Sequence, residues 1–290
     1  MTRVPSRSAG FTLIEAIMVI VITGILSSIV AVFITKPVQG YVDSVRRAEL
    51  TDAADVALRR MSRDIRLALP NSLRLTDSAG HINSCSSDTC YIEFIMTQSG
   101  SLYRTESDGS TGGNVLSFGA DTSFDVLGAM PEMAINDFIV IYNDGSSGLD
   151  AYTGDNRAKI NLIAGNTVTL ASPIASTAPL KALSNGRFQV VPGGVRAVTY
   201  ACPVAPAEPP ECPTSGWGNL QRYWNYDFNA SQTAPSGGSS ALLASNVTCT
   251  VEYGGALPRI GLLYIKLKLT DPSSGECVSL FQQIHVDNAP

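Results

Sequence analysis

The feature that most constrains this chain is an apolar run near its N terminus. Across residues 11–35 the only charged side chain is Glu15. At about 1.5 Å per helical residue the run measures roughly 37 Å, enough to cross a hydrocarbon core of ~30 Å with some tilt. Arg3 and Arg7 precede the run and no acidic residue does. We therefore expect the N terminus in the cytoplasm and the bulk of the chain outside.

Two ordinary interpretations of this run fit poorly. A secretory signal peptide has a shorter apolar region, contains no acid and ends in a small-x-small cleavage site, which is missing before residues 35–37. A plain single-pass anchor leaves Gly10, Phe11 and Glu15 unexplained. Because a carboxylate at the centre of a membrane helix costs about 2.5–3.5 kcal/mol, Glu15 indicates a specific role.

The segment GFTLIEAIMVIVITGIL, which begins at Gly10, resembles the class III leader junction of type IV pilins and type II secretion pseudopilins. The resemblance implies that prepilin peptidase cleaves between Gly10 and Phe11 and N-methylates Phe11. Residues 1–10 are then a cytoplasmic leader peptide, and residues 11–35 a transmembrane helix that becomes the assembly spine of a filament.

The resemblance also implies a role for Glu15 in assembly. In the apolar bundle of a filament an unpaired carboxylate is costly, whereas a paired one is tolerable. The N-terminal amine of a neighbouring subunit's Phe11 is the partner that the family suggests, and this pairing would set the axial register of an incoming subunit. The alternative is that Glu15 lies near the cytoplasmic interface and reaches toward water.

Residues 36–70 are predicted to extend the helix as an amphipathic segment. Pro37 and Gly40 predict a bend or a short melted turn, and Pro70 is expected to end the helix after Leu69. One apolar stripe with helical spacing is formed by Ala54, Leu58, Met61, Ile65 and Ala68.

This segment also contains a cluster of four arginines, interpreted as the exposed face of the helix: Arg59, Arg60, Arg63 and Arg66. Three aspartates partly balance their charge, and Asp55 and Arg59 have the i,i+4 spacing of a stabilising ion pair. The alternative interpretation is a patch that binds a ligand.

Residues 71–290 are predicted to form a β-rich globular domain. Strands are expected at residues 91–96, 115–118, 138–142, 159–163, 167–170, 187–191, 195–200, 220–224, 247–253, 261–269 and 277–286. Turn residues at 165–166 and 271–275 predict two hairpins. The fold class is therefore α+β: a long N-terminal membrane-spanning helix packed on a mainly antiparallel β-sheet.

Six cysteines follow the apolar run: Cys85, Cys90, Cys202, Cys212, Cys249 and Cys277. An even number of cysteines in an exported domain favours disulfides, and six cysteines permit fifteen connectivities. Short separation suggests Cys85–Cys90 and Cys202–Cys212, which would leave Cys249 and Cys277 to pair by default.

The composition and the motifs of the chain argue against an enzymatic function. After Leu69 the chain carries eleven basic and nineteen acidic residues, which argues against a nucleic-acid partner. No hydrolase, phosphate-binding or dinucleotide-binding motif occurs, and the only histidines are His81 and His285. We predict no cofactor and no metal.

The polar stretch 144–155 offers oxygen ligands for calcium but lacks the regular ligand spacing and a closing glutamate, so an ordinary loop is the alternative.

Two further segments resemble one particular group within the pilin family. RDIRLALPNS at residues 63–72 and QIHVDNAP at residues 283–290 are similar to the MshO family of MSHA pilus biogenesis, which is related to the J-type minor pseudopilins. Residues 100–240 match no motif. The resemblance implies a non-enzymatic minor pilin, held in the bacterial inner membrane with a periplasmic C-terminal domain and then carried into a surface filament.

Its implied partners are prepilin peptidase, other major and minor pilins, the inner-membrane assembly platform and membrane lipid. Three alternatives remain open: a pseudopilin of type II secretion, a pilus-tip adhesin and a membrane-anchored enzyme.

Overall fold

The computed structural model describes residues 10–79, 85, 87–105, 113–205, 212, 217–231, 234–257 and 260–289. The chain forms two compact units, Met1–Glu49 and Leu50–Pro290. His81, the leader residues 1–9 and most of the proline-rich stretch 203–213 lie outside the described residues. The predicted α+β class is confirmed: one long apolar helix is followed by mainly antiparallel β-structure.

Helix α1 spans Leu13–Ile65 and includes both residues that were expected to interrupt it. The predicted melted turn is wrong, because residues 36–41 have helical backbone throughout. Proline at position 37 removes the hydrogen bond that its N–H would donate to the Phe33 carbonyl and crowds that carbonyl, but the helix continues through it. At Gly40 an added Cβ would meet nothing within 4 Å among the described residues.

The helix ends four residues earlier than expected. The amides of Leu67 and Ala68 donate to the carbonyls of Asp64 and Ile65 over 3.0 Å each, which closes the last turn with i,i+3 bonds. Ala68 then forms an antiparallel bridge with Met96. The prediction was wrong because pairing with a strand competes with the last helical turn, a contact that local sequence does not reveal.

Thirteen strands and a short second helix complete the described structure. In chain order they are β1 (Arg74–Asp77), β2 (Thr89–Ile95), β3 (Ser99–Tyr103), β4 (Ser123–Leu127), β5 (Phe138–Val140), β6 (Arg157–Ala164), β7 (Thr167–Leu170), α2 (Ala178–Leu183), β8 (Arg187–Val191), β9 (Ala197–Pro203), β10 (Gly218–Tyr226), β11 (Ser239–Leu257), β12 (Ile260–Thr270) and β13 (Cys277–Asp287).

Seven of these strands form one antiparallel sheet in the order β1-β2-β9-β10-β11-β12-β13. The hairpin predicted at 271–275 is confirmed, since β12 and β13 pair from Ile260↔Asp287 to Thr270↔Cys277. The C-terminal part of α1 packs on this sheet through the predicted stripe, of which Ala54, Leu58, Met61 and Ile65 are buried and Ala68 is partly buried.

The other six strands close into a small barrel in the order β3-β4-β7-β6-β5-β8. Its core is a separate apolar cluster built around Tyr103, Phe124 and Phe188, with ring centroids 5.5–6.1 Å apart. The hairpin predicted at 165–166 is confirmed within this barrel, where Ala164 pairs with Thr167.

The barrel is inserted between two neighbouring strands of the sheet. It leaves after β2 and returns before β9, and these strands pair from Thr89↔Pro203 to Ile95↔Ala197. At the junction the Met96 amide donates to the Arg196 carbonyl over 3.0 Å. A third apolar cluster joins sheet and barrel: Leu69, Ile95, Val140, Ala151, Tyr152, Val191, Ala197 and Tyr226.

The strand predictions were correct in part. Those at 167–170 and 187–191 match β7 and β8, and most of the others overlap a strand with shifted ends. The strand expected at 115–118 is absent from this described stretch. There the Asn114 amide donates to the Asp125 carboxylate over 2.9 Å and the Leu116 amide to the Arg104 carbonyl over 3.2 Å, so the segment is held as a loop.

The disulfides correct two of the three suggested pairings. Cys85–Cys90 is confirmed, but the other bonds are Cys202–Cys249 and Cys212–Cys277, with Cα atoms 5.9 and 5.5 Å apart. The short Cys202–Cys212 loop does not form because Val204, just after β9, bridges Cys249 of β11 and so places Cys202 close to Cys249. Sheet order, and not distance along the chain, sets the pairing.

Candidate assembly site

The N-terminal end of α1 is fixed by its own sequence. The Thr12 hydroxyl accepts a hydrogen bond from the Glu15 amide over 3.3 Å and donates to the Glu15 carboxylate over 3.5 Å. The Thr12 carbonyl accepts from Ala16 over 3.2 Å. Thr12 is thus an N-cap, and the pair has the spacing of a capping box, although the Glu15 carboxylate bonds the Thr12 hydroxyl where the full motif uses the backbone amide of the cap residue. The Thr-x-x-Glu spacing is the sequence signal for such a cap, which was not among the predictions.

Glu15 therefore has a local role at the helix end, and its role in assembly stays a prediction. Its carboxylate lies in the first helical turn, where the positive end of the helix dipole stabilises negative charge. The side chain is exposed, and among the described residues its hydrogen bonds are confined to Thr12. The helix end thus holds an oriented carboxylate that is open to a cation from outside the subunit.

Gly10 and Phe11 lie just before the helix and are both exposed, with Phe11 73% accessible. An added Cβ at Gly10 would meet nothing within 4 Å among the described residues. The described fold thus does not itself require glycine at this position. A requirement for glycine at this position would therefore come from a protein that binds this segment and not from the fold of the chain.

The apolar helix behind this end buries little of its surface. Large apolar side chains remain 49–80% exposed at every such position from Leu13 to Val38. Among the described residues α1 is the only helix long and apolar enough to cross a membrane. Such a surface is stable only in lipid or against other apolar helices.

Residues 5–31 match the family described as the prokaryotic N-terminal methylation motif. The match spans Gly10, Phe11, Glu15 and most of the apolar run. It supports a type IV pilin-like protein. For such a protein the motif implies processing by prepilin peptidase, membrane anchoring and assembly with other pilins. No similar curated protein and no similar solved structure was found.

The globular part of the pilin-like chain contains a buried ion pair that the sequence patterns did not reveal. The Asp64 carboxylate accepts hydrogen bonds from Arg222 over 2.7 Å and from the Tyr200 hydroxyl over 2.9 Å, and Arg60 lies 3.2 Å away. Only 2% of the Asp64 side chain is exposed. Burial beside this carboxylate raises the pKa of Tyr200. The network joins α1 to β9 and β10.

A second buried pair lies where sheet and barrel meet. Arg74 donates to Glu93 over 2.6 Å and to the carbonyls of Asn229 and Ala230 over 2.6 and 2.8 Å. Tyr226 donates to the same carboxylate over 3.1 Å. Burial raises the pKa of Glu93, although Arg74 and Tyr226 oppose that shift.

The acidic loop considered for calcium uses its carboxylates internally. Asp144 accepts from the Ser146 amide over 2.8 Å, Asp150 from the Tyr152 amide over 2.8 Å, and Asp155 from the Gly148 amide over 3.0 Å. No group of three or more acidic, histidine or cysteine side chains is placed to share a metal ion within the part of the chain that the structure describes.

Proposed function

We propose that this chain is a minor pilin of a type IV pilus of the MSHA kind, which helps to initiate or cap filament assembly near the tip. The observation that carries the proposal is a methylation motif at residues 5–31 that continues into a helix with exposed apolar side chains. Such a helix needs lipid before assembly and neighbouring helices after it.

In this proposal residues 1–10 form a leader that prepilin peptidase removes before it methylates Phe11. Residues 11–35 anchor the chain in the inner membrane, where the assembly platform receives it, and residues 36–70 connect that anchor to the β-rich domain at 71–290. The described contacts support this division in one respect: the stripe from Ala54 to Ile65 packs on the sheet.

The assembly step proposed for Glu15 is an ion pair with the methylated amine of Phe11 on a neighbouring subunit. The capping box orients the carboxylate at the first turn of α1. In an apolar bundle of helices a carboxylate that lacks a partner is strongly disfavoured, so a subunit in the wrong register would be rejected.

Processing and register are tested separately in the native cell. Leucine in place of Gly10 should leave the leader attached, whereas alanine should be tolerated in part. Glu15→Ala should insert into the membrane and lose its place in filaments, with Glu15→Asp as the matched control. Mature protein that still begins at Met1 would refute the proposed cleavage of the leader. Normal incorporation of Glu15→Ala into filaments would refute the proposed role of Glu15 in setting the subunit register.

The MSHA assignment is supported by the two sequence segments at 63–72 and 283–290. Its rival is a minor pseudopilin of type II secretion, which shares the N-terminal motif. Electron microscopy of a strain that lacks the chain separates them. Loss of surface pili with normal export of secreted proteins supports the pilus, and the reverse result supports the secretion system.

One observation favours a second candidate function, a pilus-tip adhesin. The closed barrel is inserted between paired strands of the sheet, and its two ends meet at Met96 and Arg196. Such an insertion gives the filament a separate module without altering the sheet. A chain in which a short turn replaces residues 98–192 should still enter pili. Loss of surface attachment by those pili would support the adhesin function, and normal attachment would refute it.

A further inference from the structure

A groove of about 420 Å³ lies between the C-terminal part of α1 and the edge strand β13. Three arginines lie along it: Arg59 and Arg63, one turn apart on α1, and Arg66, whose amide donates to the Ser62 carbonyl over 3.2 Å in the turn after Ile65. Gln282 of β13 faces them, and Ser62 and the 42%-exposed Leu67 complete the lining.

The groove carries positive charge that the described residues do not compensate. Arg59 pairs with Asp55 over 2.7 Å, but Arg63 and Arg66 are exposed and have no ion-pair partner among the described residues. Asp64, the acid nearest to them in the chain, is buried and occupied by Arg222. Between residues 55 and 66 there are four arginines and two aspartates, while the whole chain has a net charge of −5.

We propose that this arginine groove binds an acidic segment of a neighbouring pilin subunit in the filament. The inference rests on the proposed function and adds the location and chemistry of one subunit contact. Arg63 and Arg66, the two arginines without an ion-pair partner among the described residues, are three residues apart, which is about 4.5 Å along a helix axis, so carboxylates close together on one segment can reach both. Guanidinium groups bind carboxylates through two parallel hydrogen bonds.

The rest of the lining fits a peptide. The Gln282 amide has both a donor and an acceptor for a peptide backbone, and exposed Leu67 offers an apolar contact beside the charges. A carboxylate-bearing partner would also satisfy two arginines that otherwise depend on water. The groove therefore selects by charge, whereas the apolar helix packs without regard to the identity of the neighbour.

The test uses the full chain in its native cell. We compare the amount of each variant that is recovered in sheared filaments. The variants are Arg63→Glu with Arg66→Glu, the milder Arg63→Gln with Arg66→Gln, and Arg187→Glu as the control. Arg187 is also exposed but lies on the barrel. We expect at least a tenfold loss for the glutamate pair, a smaller loss for the glutamine pair and less than a twofold change for the control.

A photo-crosslinking residue at position 63 then identifies the occupant. We expect an adduct with a pilin peptide that contains Asp or Glu, and lysine at that acidic position should restore incorporation of the glutamate pair. Adducts with lipid alone, or no adduct in assembled filaments, would overturn the inference.

The outcomes also separate this inference from the function on which it rests. If the unaltered chain enters filaments and neither the glutamate nor the glutamine replacement of Arg63 and Arg66 reduces incorporation, the groove is not a subunit contact and the proposed function stands. If the unaltered chain is absent from every filament, the proposed function fails, and the inference fails with it.

Discussion

The sheet and the barrel are built in different ways, although one is inserted into the other. The sheet covers its core with α1, carries the buried pairs Asp64–Arg222 and Arg74–Glu93, and holds the disulfide Cys202–Cys249. The barrel closes on itself around an aromatic core, and its stretch 98–192 contains no cysteine. Polar and covalent links thus tie the helix and the strands of the sheet together, whereas the barrel combines an aromatic core with polar contacts such as those of Asp125.

This difference has a consequence for assembly. In the proposed function a subunit is pulled from the membrane by its helix, and the pair between Asp64 and Arg222 would then keep that helix fixed to the sheet. The barrel has no such connection to α1 among the described elements. If sheet and barrel are stabilised separately, substitutions in each should act on that part alone, and the largest effect is expected where α1 meets the sheet.

Replacing Asp64 by alanine should give the largest loss of stability. The change leaves Arg222 buried without its carboxylate, and breaking one side of a buried pair costs about 3–5 kcal/mol. Chemical denaturation of the full chain in detergent, followed by hydrogen exchange, should show the loss in peptides of the sheet. Asp55→Ala is the matched control, because its pair with Arg59 is exposed and should be worth less than about 1 kcal/mol. Equal effects of the two changes would refute the special role of Asp64.

Loss of the sheet disulfide should come next. Serine at Cys202 and Cys249 opens a link between residues 47 apart, whereas serine at Cys85 and Cys90 opens one between residues only 5 apart. Loop-closure entropy predicts costs of about 4 and about 2 kcal/mol respectively. Denaturation midpoints of the two double variants measure the difference. If the order is reversed, the chain-entropy account of these links is wrong.

A smaller, matched pair of changes compares the two cores directly. Ile139 in the barrel and Ile265 in the sheet are both fully buried, and valine at either position should cost about 0.5–1.5 kcal/mol. Ile139→Val should increase hydrogen exchange in barrel peptides only, and Ile265→Val in sheet peptides only. Spread of either effect into the other part would show that sheet and barrel unfold as one unit.

Sequence reasoning succeeded for the sheet more than for the barrel. Strands β12 and β13 alternate between apolar and polar residues and were predicted almost to their ends. By contrast β3, with the sequence SGSLY, has the composition of a turn and was missed, as were β1 and β4. Barrel strands of three to five residues such as β3, β4 and β5 are held by closure, which local periodicity does not reveal.

The same limit applies to the candidate sites. The N-terminal motif is contiguous, so Gly10, Phe11 and Glu15 could be named from the sequence, and their roles remain predictions. The Asp64–Arg222 pair joins residues 158 positions apart, and the pairing of Cys202 with Cys249 accompanies the bridge between Val204 and Cys249. Both depend on sheet order. The arginine cluster was noticed, but that Asp64 turns inward and leaves Arg63 and Arg66 without a partner required the fold.

The smallest expected effect is a pH dependence of opposite sign in the two parts. In the barrel, hydrogen bonds from the Asn114 amide and the Thr167 hydroxyl lower the pKa of Asp125 below its ordinary 3.8. The unfolded chain therefore binds more protons near that pH, and this contribution to stability is present above pH 3.8 and is lost as the pH falls through the lowered pKa.

In the sheet, burial raises the pKa of Glu93 above its ordinary 4.5. There the folded state binds more protons, so the contribution of Glu93 is most favourable below pH 4.5 and declines as the pH rises through the raised pKa.

Acidification from pH 6 to pH 3 should thus weaken the barrel relative to the sheet. Hydrogen exchange at each pH, corrected for its intrinsic rate, gives the stability of each part. Asp125→Asn should flatten the profile of barrel peptides and Glu93→Gln that of sheet peptides, each without altering the other. Because Asn keeps an acceptor for the Asn114 amide, loss of the slope in that variant would reflect the missing titration and not a missing hydrogen bond. Parallel profiles in sheet and barrel would mean that these two carboxyl groups do not distinguish the parts, and that the helix-bearing sheet and the inserted barrel share one cooperative stability.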